Sequence, residues 1–227
     1  MPKHRIAVVS DTHSLLRPEI TEKMRGCELI IHAGDIASGE TAEKIESIGR
    51  TYFVRGNADK DSWADALPVS RELELWGLHV FVIHNRRQIV EDLSDKDIVI
   101  CGHSHKYSEE YRGNVCYFNP GSCGPRRFHQ EITMAILTID EDDRSFAFEK
   151  VNASPHLTAD SGKLPDRDMA KLMKRIMKQM DEGKTVYEIA EKNRIEEKLV
   201  RQMLQIYTTH PGINVQGILD RMDIWGK

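Results

Sequence analysis

The sequence contains no apolar run of about 18 residues, the length that a transmembrane helix needs. Residues 1–5 lead directly into a short apolar segment and carry no signal-peptide core, so we expect a cytoplasmic protein without a membrane span. The four cysteines show no CxxC spacing, which gives a zinc finger no support and favours free thiols. The sequence also has no repeat of fixed period and no low-complexity segment.

A large charge imbalance is also missing. The net charge is −4, and residues 163–227 hold 13 basic and 10 acidic side chains, which leaves 19 basic and 26 acidic ones for residues 1–162. Neither a body of −7 nor a tail of +3 is large enough to identify a partner. A chain of 227 residues with 40% hydrophobic residues suits one generous domain with a small appendage.

Short apolar runs alternate with helical patterns at the start of the chain. Residues 6–9, 28–32 and 51–54 predict buried strands, and residues 18–25 and 39–48 predict the helices between them. This βαβ order predicts a mostly parallel sheet with helices on its faces.

The next hundred residues predict a different order of secondary-structure elements. Further elements are predicted as a hairpin of strands at 71–75 and 79–83, a brief helix at 87–93, strands at 97–101 and 115–118, and an antiparallel pair at 132–137 and 145–148. We therefore predict an α/β domain with a mixed sheet or sheets over residues 1–152.

Residues 153–168 are rich in Ser, Pro, Gly and Asp and are predicted to be a linker, followed by a helical domain at 169–227. An apolar stripe at helical spacing runs from Met169 to Met180, and Thr185 with Glu188 forms a capping-box pattern. Two more helices are predicted, at 196–207 and around 215–222.

Residues 188–203 resemble a helix-turn-helix, with Arg194 where glycine is usual. Glu196 and Glu197 would open the recognition helix, where their carboxylates oppose DNA. We therefore favour packing or homo-oligomer formation through the tail over binding of nucleic acid.

Polar residues follow five predicted strands or loops, each where an apolar run ends. They are Asp11, Thr12 and His13; Gly34 and Asp35; Gly56 and Asn57; His84; and Gly102–His105. Taken singly, such an aspartate is often a helix cap, the asparagine a turn residue, and a histidine a core or surface residue. Because ligands collect beyond the carboxyl ends of buried parallel strands, the joint pattern favours one binding site.

The segment Gly102–His105 carries two histidines one residue apart, directly after a buried strand. Glycine lets the backbone turn sharply, and both imidazoles can then reach one polar centre. Neutral imidazole is the commonest metal ligand in proteins. The alternative is a surface loop that happens to hold two histidines.

The ordered set D-x-H, G-D, G-N, H and G-H-x-H resembles the calcineurin-like metallophosphoesterases, and more narrowly their small bacterial and archaeal phosphodiesterase branch. Residues 10–13, 32–35 and 119–122 carry the narrower likeness, which covers about residues 4–150. The implied fold is the metallophosphoesterase-type two-sheet α/β sandwich flanked by helices, here with a small C-terminal all-helical appendage.

The resemblance implies a centre of two divalent transition-metal ions. One ion would be held by Asp11, His13, Asp35 and His105, and the other by Asp35, Asn57, His84 and His103, with Asp35 bridging. A carboxylate can bridge two cations because it has two oxygens and a negative charge that lowers their repulsion. Oxygen and imidazole ligands without thiolate suit manganese, which we place first, or iron, nickel or zinc.

The implied activity is hydrolysis of a small phosphate ester, with phosphodiesterase favoured. Two divalent ions about 3.5–4 Å apart lower the pKa of a bridging water, and the resulting hydroxide attacks phosphorus in line. We assign catalytic roles to Asp35, Asn57 and His103. The alternatives are a phosphomonoesterase or a nuclease on the same site, and, in another class, a DNA-binding or scaffold protein with a vestigial metal site. The complete ligand set argues against the last of these.

Two positions depart from the family pattern. The family usually has a histidine after the asparagine, thought to assist phosphate binding and protonation of the leaving group, and here that residue is Ala58. The usual H-G-H is replaced by His84-Asn85-Arg86, in which Asn85 can adopt the left-handed backbone that glycine favours.

Arg86 can contact a phosphate, and Arg126 and Arg127, which follow the NPGS turn, are further candidates for binding the substrate. The alternative for all three arginines is a solvated surface charge. His129 is the first candidate for a general acid in place of the missing histidine, and Asp59 is a candidate to orient an imidazole introduced at position 58.

Overall fold

The computed structural model of the chain describes residues 3–125, 131–153, 167–195, 197–210, 212, 213, 215, 217 and 218. These residues fall into two compact units. The first holds the described residues up to 124 and those from 131 to 153, and the second holds those from 167 onward. The predicted linker at 153–168 lies almost wholly outside the described residues, so the predicted domain boundaries stay a prediction.

The first unit contains ten strands and two α-helices. The strands are β1 Lys3–Val9, β2 Leu29–His32, β3 Thr51–Phe53, β4 Ser70–Leu75, β5 Leu78–Ile83, β6 Ile98–Ile100, β7 Tyr107–Arg112, β8 Val115–Pro120, β9 Thr133–Asp140 and β10 Phe146–Asn152. The helices are α1 Pro18–Arg25 and α2 Gly39–Glu46. The strands form two five-stranded sheets of order β10-β9-β1-β2-β3 and β4-β5-β6-β8-β7. The predicted fold class is therefore confirmed.

The apolar runs of the first sheet are buried on both faces. In β1, Ile6 and Val8 pack between the sheets with residues such as Phe118 of β8. Ala7 and Val9 alternate with them and pack against apolar side chains of α1 and α2. Burying a large aliphatic side chain contributes about 1.5–3 kcal/mol, so burial on both faces stabilises this sheet. Burial on both faces is also typical of parallel strands, and β1, β2 and β3 pair in parallel.

The second sheet confirms the predicted hairpin, because β4 and β5 pair antiparallel. The helix predicted at 87–93 is wrong: a single 3₁₀ turn spans Arg86–Gln88, and Ile89 returns to extended backbone. Val90 is 91% exposed, so no apolar stripe holds a longer helix against the sheet. Strand β7 was not predicted, since it is an edge strand with mostly polar, exposed residues.

The second unit consists of three helices in the described residues, α3 Arg167–Asp181, α4 Val186–Asn193 and α5 Glu197–Thr209. The capping box of Thr185 and Glu188 is formed, which confirms the predicted start of α4. Arg194 has φ of 55° and ψ of 49°, the left-handed conformation that glycine favours at the end of a helix. The arginine therefore does not prevent the turn between α4 and α5.

Met173, Ile189 and Val200 belong to the buried cluster that joins the three helices. The last helix predicted around 215–222 lies largely outside the described residues. Within the described part of the chain, no helix combines the length and the apolar character that a membrane span requires.

A chain that ends at Ala159 should fold on its own, because no described residue beyond 153 belongs to the core clusters of the first unit. Urea unfolding followed by circular dichroism should show one cooperative transition with a slope of about 1–3 kcal/mol/M. An aggregated product, or a broad transition without a native baseline, would mean that the helices are needed for the first unit to fold.

Candidate metal centre

The ends of five strands bring all seven predicted metal ligands together. Asp11 and His13 follow β1, Asp35 follows β2, Asn57 follows β3, His84 follows β5, and His103 and His105 follow β6. Within each sheet these strands run parallel to one another, β1 with β2 and β3, and β5 with β6, so their carboxyl ends share one edge. The site thus draws on both sheets of the first unit.

Asp11 lies at the centre of the first group. Its Oδ1 is 3.1 Å from His105 Nε2 and 3.9 Å from His13 Nε2. All three side chains are buried, and their ligand atoms lie within 4.8 Å of one another. This spacing suits one small cation.

Asp35 lies between the two predicted ion positions. Its Oδ2 is 3.4 Å from His84 Nε2 and 3.7 Å from His13 Nε2, so one oxygen faces a ligand of each ion. Its Oδ1 accepts a hydrogen bond of 2.7 Å from the Ala58 N–H, which fixes the carboxylate plane. The contacts are those that a bridging ligand would make.

Asn57 and His103 form the exposed side of the centre. Asn57 Oδ1 is 2.9 Å from His103 Nδ1 and 3.2 Å from His84 Nε2. A ligand from solvent would reach the centre past these two residues.

Five of the seven ligands have a left-handed backbone. The φ angles are 57° at Asp11, 45° at His13, 58° at Asp35, 66° at His103 and 58° at His105. A non-glycine residue in this region costs on the order of 1–3 kcal/mol and persists only where surrounding contacts enforce it. The loops are therefore shaped for the position of their side chains, at the expense of local stability.

Two glycines are required by close packing. A Cβ at Gly56 would lie 2.2 Å from Asp35 N, and one at Gly102 would lie 2.0 Å from Ser10 Oγ. The predicted sharp turn is present, because the Ser104 N–H donates to the Gly102 carbonyl at 2.7 Å and His103 between them has φ of 66°. Gly102 itself is absent from the described residues with positive φ. Its role is to let the β6 loop approach the β1 loop.

Asp59 is a positioning residue that the sequence did not reveal as such. Its buried carboxylate accepts hydrogen bonds from the N–H groups of Asp35, Ala37 and Gly56, at 3.0, 2.7 and 2.7 Å. These three bonds use most of the about four acceptor sites of a carboxylate, so they compete with the expected role of Asp59 in orienting an imidazole at position 58. That role stays a prediction. The only sequence feature that could have indicated this role was an aspartate two residues after Asn57.

Asn119 of the NPGS segment plays a similar role for the β6 loop. Its Nδ2 donates to the Gly102 carbonyl at 2.7 Å and to Ser104 Oγ at 3.2 Å. Ser122 Oγ donates to the Asp11 carbonyl at 3.1 Å. The motif thus joins the loops that carry Asp11 and His103.

His32 connects the first two ligand loops from inside the core. Gly34 N–H donates to His32 Nδ1 at 3.1 Å, so Nε2 carries the proton and donates to Thr12 Oγ1 at 3.0 Å. Complete burial lowers the pKa of His32 to about 4, so the ring is neutral at pH 7. The neutral tautomer is the only form that makes both bonds.

The electrostatics of the centre favour ionised carboxylates. Burial raises the pKa of Asp11, but hydrogen bonding and charge interaction with His105 outweigh burial and hold it below its ordinary value. The pKa of Asp35 is also lowered, with burial opposed by His84. Burial lowers the pKa of His84, yet Asp35 and Asp11 outweigh it and raise that pKa to about 9. The two ionised carboxylates thus stabilise positive charge nearby.

The predicted substrate arginines are only partly described. Arg86 Nη1 lies 3.0 Å from Glu110 Oε2, and the Arg86 guanidinium stacks over Tyr117. Arg126, Arg127 and His129 lie outside the described residues. Asn85 has φ of −108°, so its expected left-handed conformation is wrong; its side chain caps the following 3₁₀ turn instead.

Comparisons with known proteins show which family the chain resembles over most of the first unit. Residues 5–142 match the family model of the calcineurin-like phosphoesterase superfamily domain. A probable metallophosphoesterase of Methanothermobacter thermautotrophicus is 30% identical over 150 residues, which are 60% of this chain and 86% of the relative. A phosphodiesterase of Methanocaldococcus jannaschii is 27% identical over 140 residues, which are 52% of this chain and 84% of the relative. The solved structure of a novel archaeal phosphodiesterase has a TM-score of 0.53 and 23% identity over 65% of this chain and 99% of that chain, which supports the fold.

Asp35→Asn should lose more bound metal than any other single ligand change, because Asp35 is the one residue assigned to both ions, and its Oδ2 faces His13 and His84. Elemental analysis after gel filtration is the measurement. His103→Gln, which removes a ligand of one ion only, should retain about one ion per chain. Two ions per chain in Asp35→Asn would show that the bridging assignment is wrong.

His32→Leu should cost about 2–3 kcal/mol of unfolding free energy at pH 7, because two buried partners lose their hydrogen bonds. The folded pKa of His32 lies below its ordinary value of 6.5, so its stabilisation is complete above pH 6.5 and is lost as the pH falls towards 4. The deficit of the variant should therefore shrink by about 2 kcal/mol between pH 7 and pH 5.

Urea unfolding in the presence of a chelator gives both values. The exposed His79 of β5 supplies the control, since His79→Leu should show no such convergence with the parent. A deficit for His32→Leu that is equal at both pH values would contradict the neutral tautomer.

Proposed function

Because the chain belongs to the calcineurin-like phosphoesterase superfamily, we propose that it is a metal-dependent phosphodiesterase. The observation that carries the proposal is the position of Asp35, whose Oδ2 lies within 3.7 Å of a histidine from each of two ligand groups. These histidines are the ones assigned to different ions, which supports Asp35 as the bridging ligand.

The donor set fits a pair of divalent cations. Among the described residues, His105 Nδ1 is buried without a hydrogen bond, which is unusual for a polar atom. His84 Nδ1 is 2.7 Å from the Ala33 carbonyl and donates there, so Nε2 is the nitrogen that faces Asp35 and Asn57. Without cations the imidazoles are paired with the carboxylates, and a bound cation would replace the proton on His84 Nε2.

One ion would be held by Asp11, His13, Asp35 and His105, and the other by Asp35, Asn57, His84 and His103. Nitrogen and oxygen donors without thiolate are compatible with manganese, iron, nickel or zinc, and we place manganese first. When bound, the ions supply Lewis-acid chemistry: they lower the pKa of water to give the nucleophile and neutralise phosphate charge during in-line displacement.

The residues of the chain perform the remaining tasks. Asp11 and Asp35 stay ionised, because their pKa values are below the ordinary range. Exposed Asn57 and His103 flank the entrance, so a phosphate at the centre would meet them first. His32 and Asp59 hold the loops of the centre by buried hydrogen bonds, which limits reorganisation during the reaction.

Ala58 is the residue that favours diesters. Its methyl group can neither donate a proton nor bind a phosphate oxygen, and its N–H is bonded to Asp35. An aryl or otherwise acidic alcohol leaves phosphorus without protonation, whereas an alkyl alcohol needs a general acid. A phosphomonoesterase or a nuclease on the same site is the alternative within the same class.

A scaffold protein with a vestigial metal site is the alternative of another class. Five of the seven proposed ligands (Asp11, His13, Asp35, His84 and His105) lie in groups that could hold a cation, and buried hydrogen bonds support their loops, which favours a functional centre. For the helical unit we propose packing or homo-oligomer formation, since an exposed ion pair of Glu197 and Arg201 occupies the start of α5. We also propose a cytoplasmic location, because all four cysteines are free thiols.

The test is turnover of matched esters by the metal-loaded protein. Diesters with a nitrophenol leaving group should be hydrolysed, and kcat/KM should fall about 10²–10⁴-fold for an alkyl leaving group, the usual value of general acid catalysis. Ala58→His should reduce this dependence on leaving-group pKa, and Ala58→Gln provides a control of similar size that cannot act as an acid.

A parent enzyme that is indifferent to leaving-group pKa would point to another acid, with His129 the first to replace. Absence of turnover on every diester and monoester, with two ions bound, would favour the scaffold alternative.

A further inference from the structure

A cavity of ≈ 820 Å³ adjoins the exposed side of the metal centre. Its walls come from the loop after β5, the Gly102–Ser104 segment and the strands β7 and β8. Two cross-strand pairs, Ser108 with Asn119 and Glu110 with Tyr117, lie side by side in it. Sites of about 300–1,000 Å³ typically hold a small molecule, so this cavity is large enough for a nucleotide-sized group.

The cavity lies on the outer face of the second sheet. Alternate residues of a strand face opposite sides, and the even-numbered residues from Lys106 to Arg112 line the cavity. Tyr107 and Phe118, on the opposite faces of β7 and β8, pack in the core between the sheets. From Lys106 to Arg112 the backbone covers about 20 Å, so the cavity is a groove that leads away from His103.

The charge of this groove is opposite to that of the rest of the first unit. Four cations line it, Arg86, Arg87, Lys106 and Arg112, against the single carboxylate of Glu110. Glu110 is paired with Arg86 at 3.0 Å. The other three cations are exposed, and none has an ion pair with a described residue. Residues 1–162 together carry 19 basic and 26 acidic side chains, so a cluster of unpaired cations stands out from an acidic background.

The groove and the metal centre share His103. His103 lines the cavity, and its Nδ1 lies 2.9 Å from Asn57 Oδ1 in the centre. A phosphodiester bound at the centre therefore has one ester substituent within reach of the groove. At the far end, the Arg112 and Arg86 guanidinium groups lie 5.2 and 4.8 Å from the centroid of the Tyr117 ring. Unpaired guanidinium and ammonium groups beside such a path are suited to a phosphate.

We propose that this groove binds the non-leaving arm of the substrate and that this arm carries a second phosphate group, with Lys106 and Arg112 as the residues that select it. The proposal rests on the proposed phosphodiesterase function and specifies its substrate class. A nucleoside diester that carries a further phosphate has the required size and charge.

Two p-nitrophenyl esters test the proposal because they differ only in the distal phosphate: thymidine 5′-(p-nitrophenyl phosphate) and its 3′-phosphorylated form. The parent should prefer the 3′-phosphorylated ester by about tenfold or more in kcat/KM, as expected for a charge-assisted contact with phosphate. Lys106→Gln/Arg112→Gln should abolish the preference while kcat/KM for the first ester changes little.

The control removes the same two charges elsewhere. Lys23→Gln/Arg25→Gln changes exposed residues of α1, outside the groove, and should keep the preference of the parent. A parent without preference, or a groove variant that retains it, would overturn the proposal. If the metal-loaded protein hydrolyses neither ester, the proposed function fails, and the groove is then judged by binding alone.

Calorimetric binding of thymidine 3′,5′-bisphosphate in the presence of a chelator provides that second readout. The groove variant should bind it about tenfold more weakly than the parent and the α1 variant do. Equal affinity in all three proteins would also overturn the proposal. Tetrathymidylate in the same assay separates two sources of the second phosphate. Binding of the bisphosphate alone supports a small phosphorylated diester, and equal binding of both supports the end of a nucleic-acid strand.

Discussion

Two carboxylates buried at the ends of adjacent parallel strands impose the main constraint on this protein. Asp11 is fully buried and Asp35 nearly so, and burial together with the charge of Asp11 opposes the lowering of the Asp35 pKa by His84. Charges in such a position must be matched, because an unpaired buried charge costs several kcal/mol. The imidazoles of His13, His84 and His105 surround them, and two divalent cations would satisfy the same demand more fully. The surrounding loops can be understood as the means of holding these two groups together.

That arrangement is maintained by backbone contacts more than by the ligands themselves. The left-handed residues would relax if their loops were isolated, yet each loop is tied to another. Asp59 joins the loops after β2 and β3, His32 joins those after β1 and β2, and Asn119 supports the loop after β6. Gly56 and Gly102 allow the loops to touch. Strain and fit are thus concentrated at one edge of the sandwich, while the apolar interior supplies the stability that offsets them.

The groove beside His103 concerns the selection of the substrate rather than the reaction at the metal centre. The centre handles one phosphate in the same way whatever it is attached to, so selectivity has to come from contacts further out. An edge strand with alternating polar residues can present a row of charges there because its outer face need not be buried. Because the residues of β7 are mostly polar and exposed, the sequence predicts the strand only weakly, and the same residues make β7 suitable for recognising a substrate.

The sequence by itself determined the strand and helix order of residues 1–54, the ligand types and the family, because buried strands need apolar runs and metal ligands need particular side chains. The capping box of α4 was equally local. Only the tertiary structure decided that Gly102 serves close packing, that Asp59 is committed to three N–H groups, that residues 87–93 form no helix, and that β7 completes the second sheet. Each of these depends on contacts between segments that are distant in the chain, and local sequence patterns do not predict such contacts.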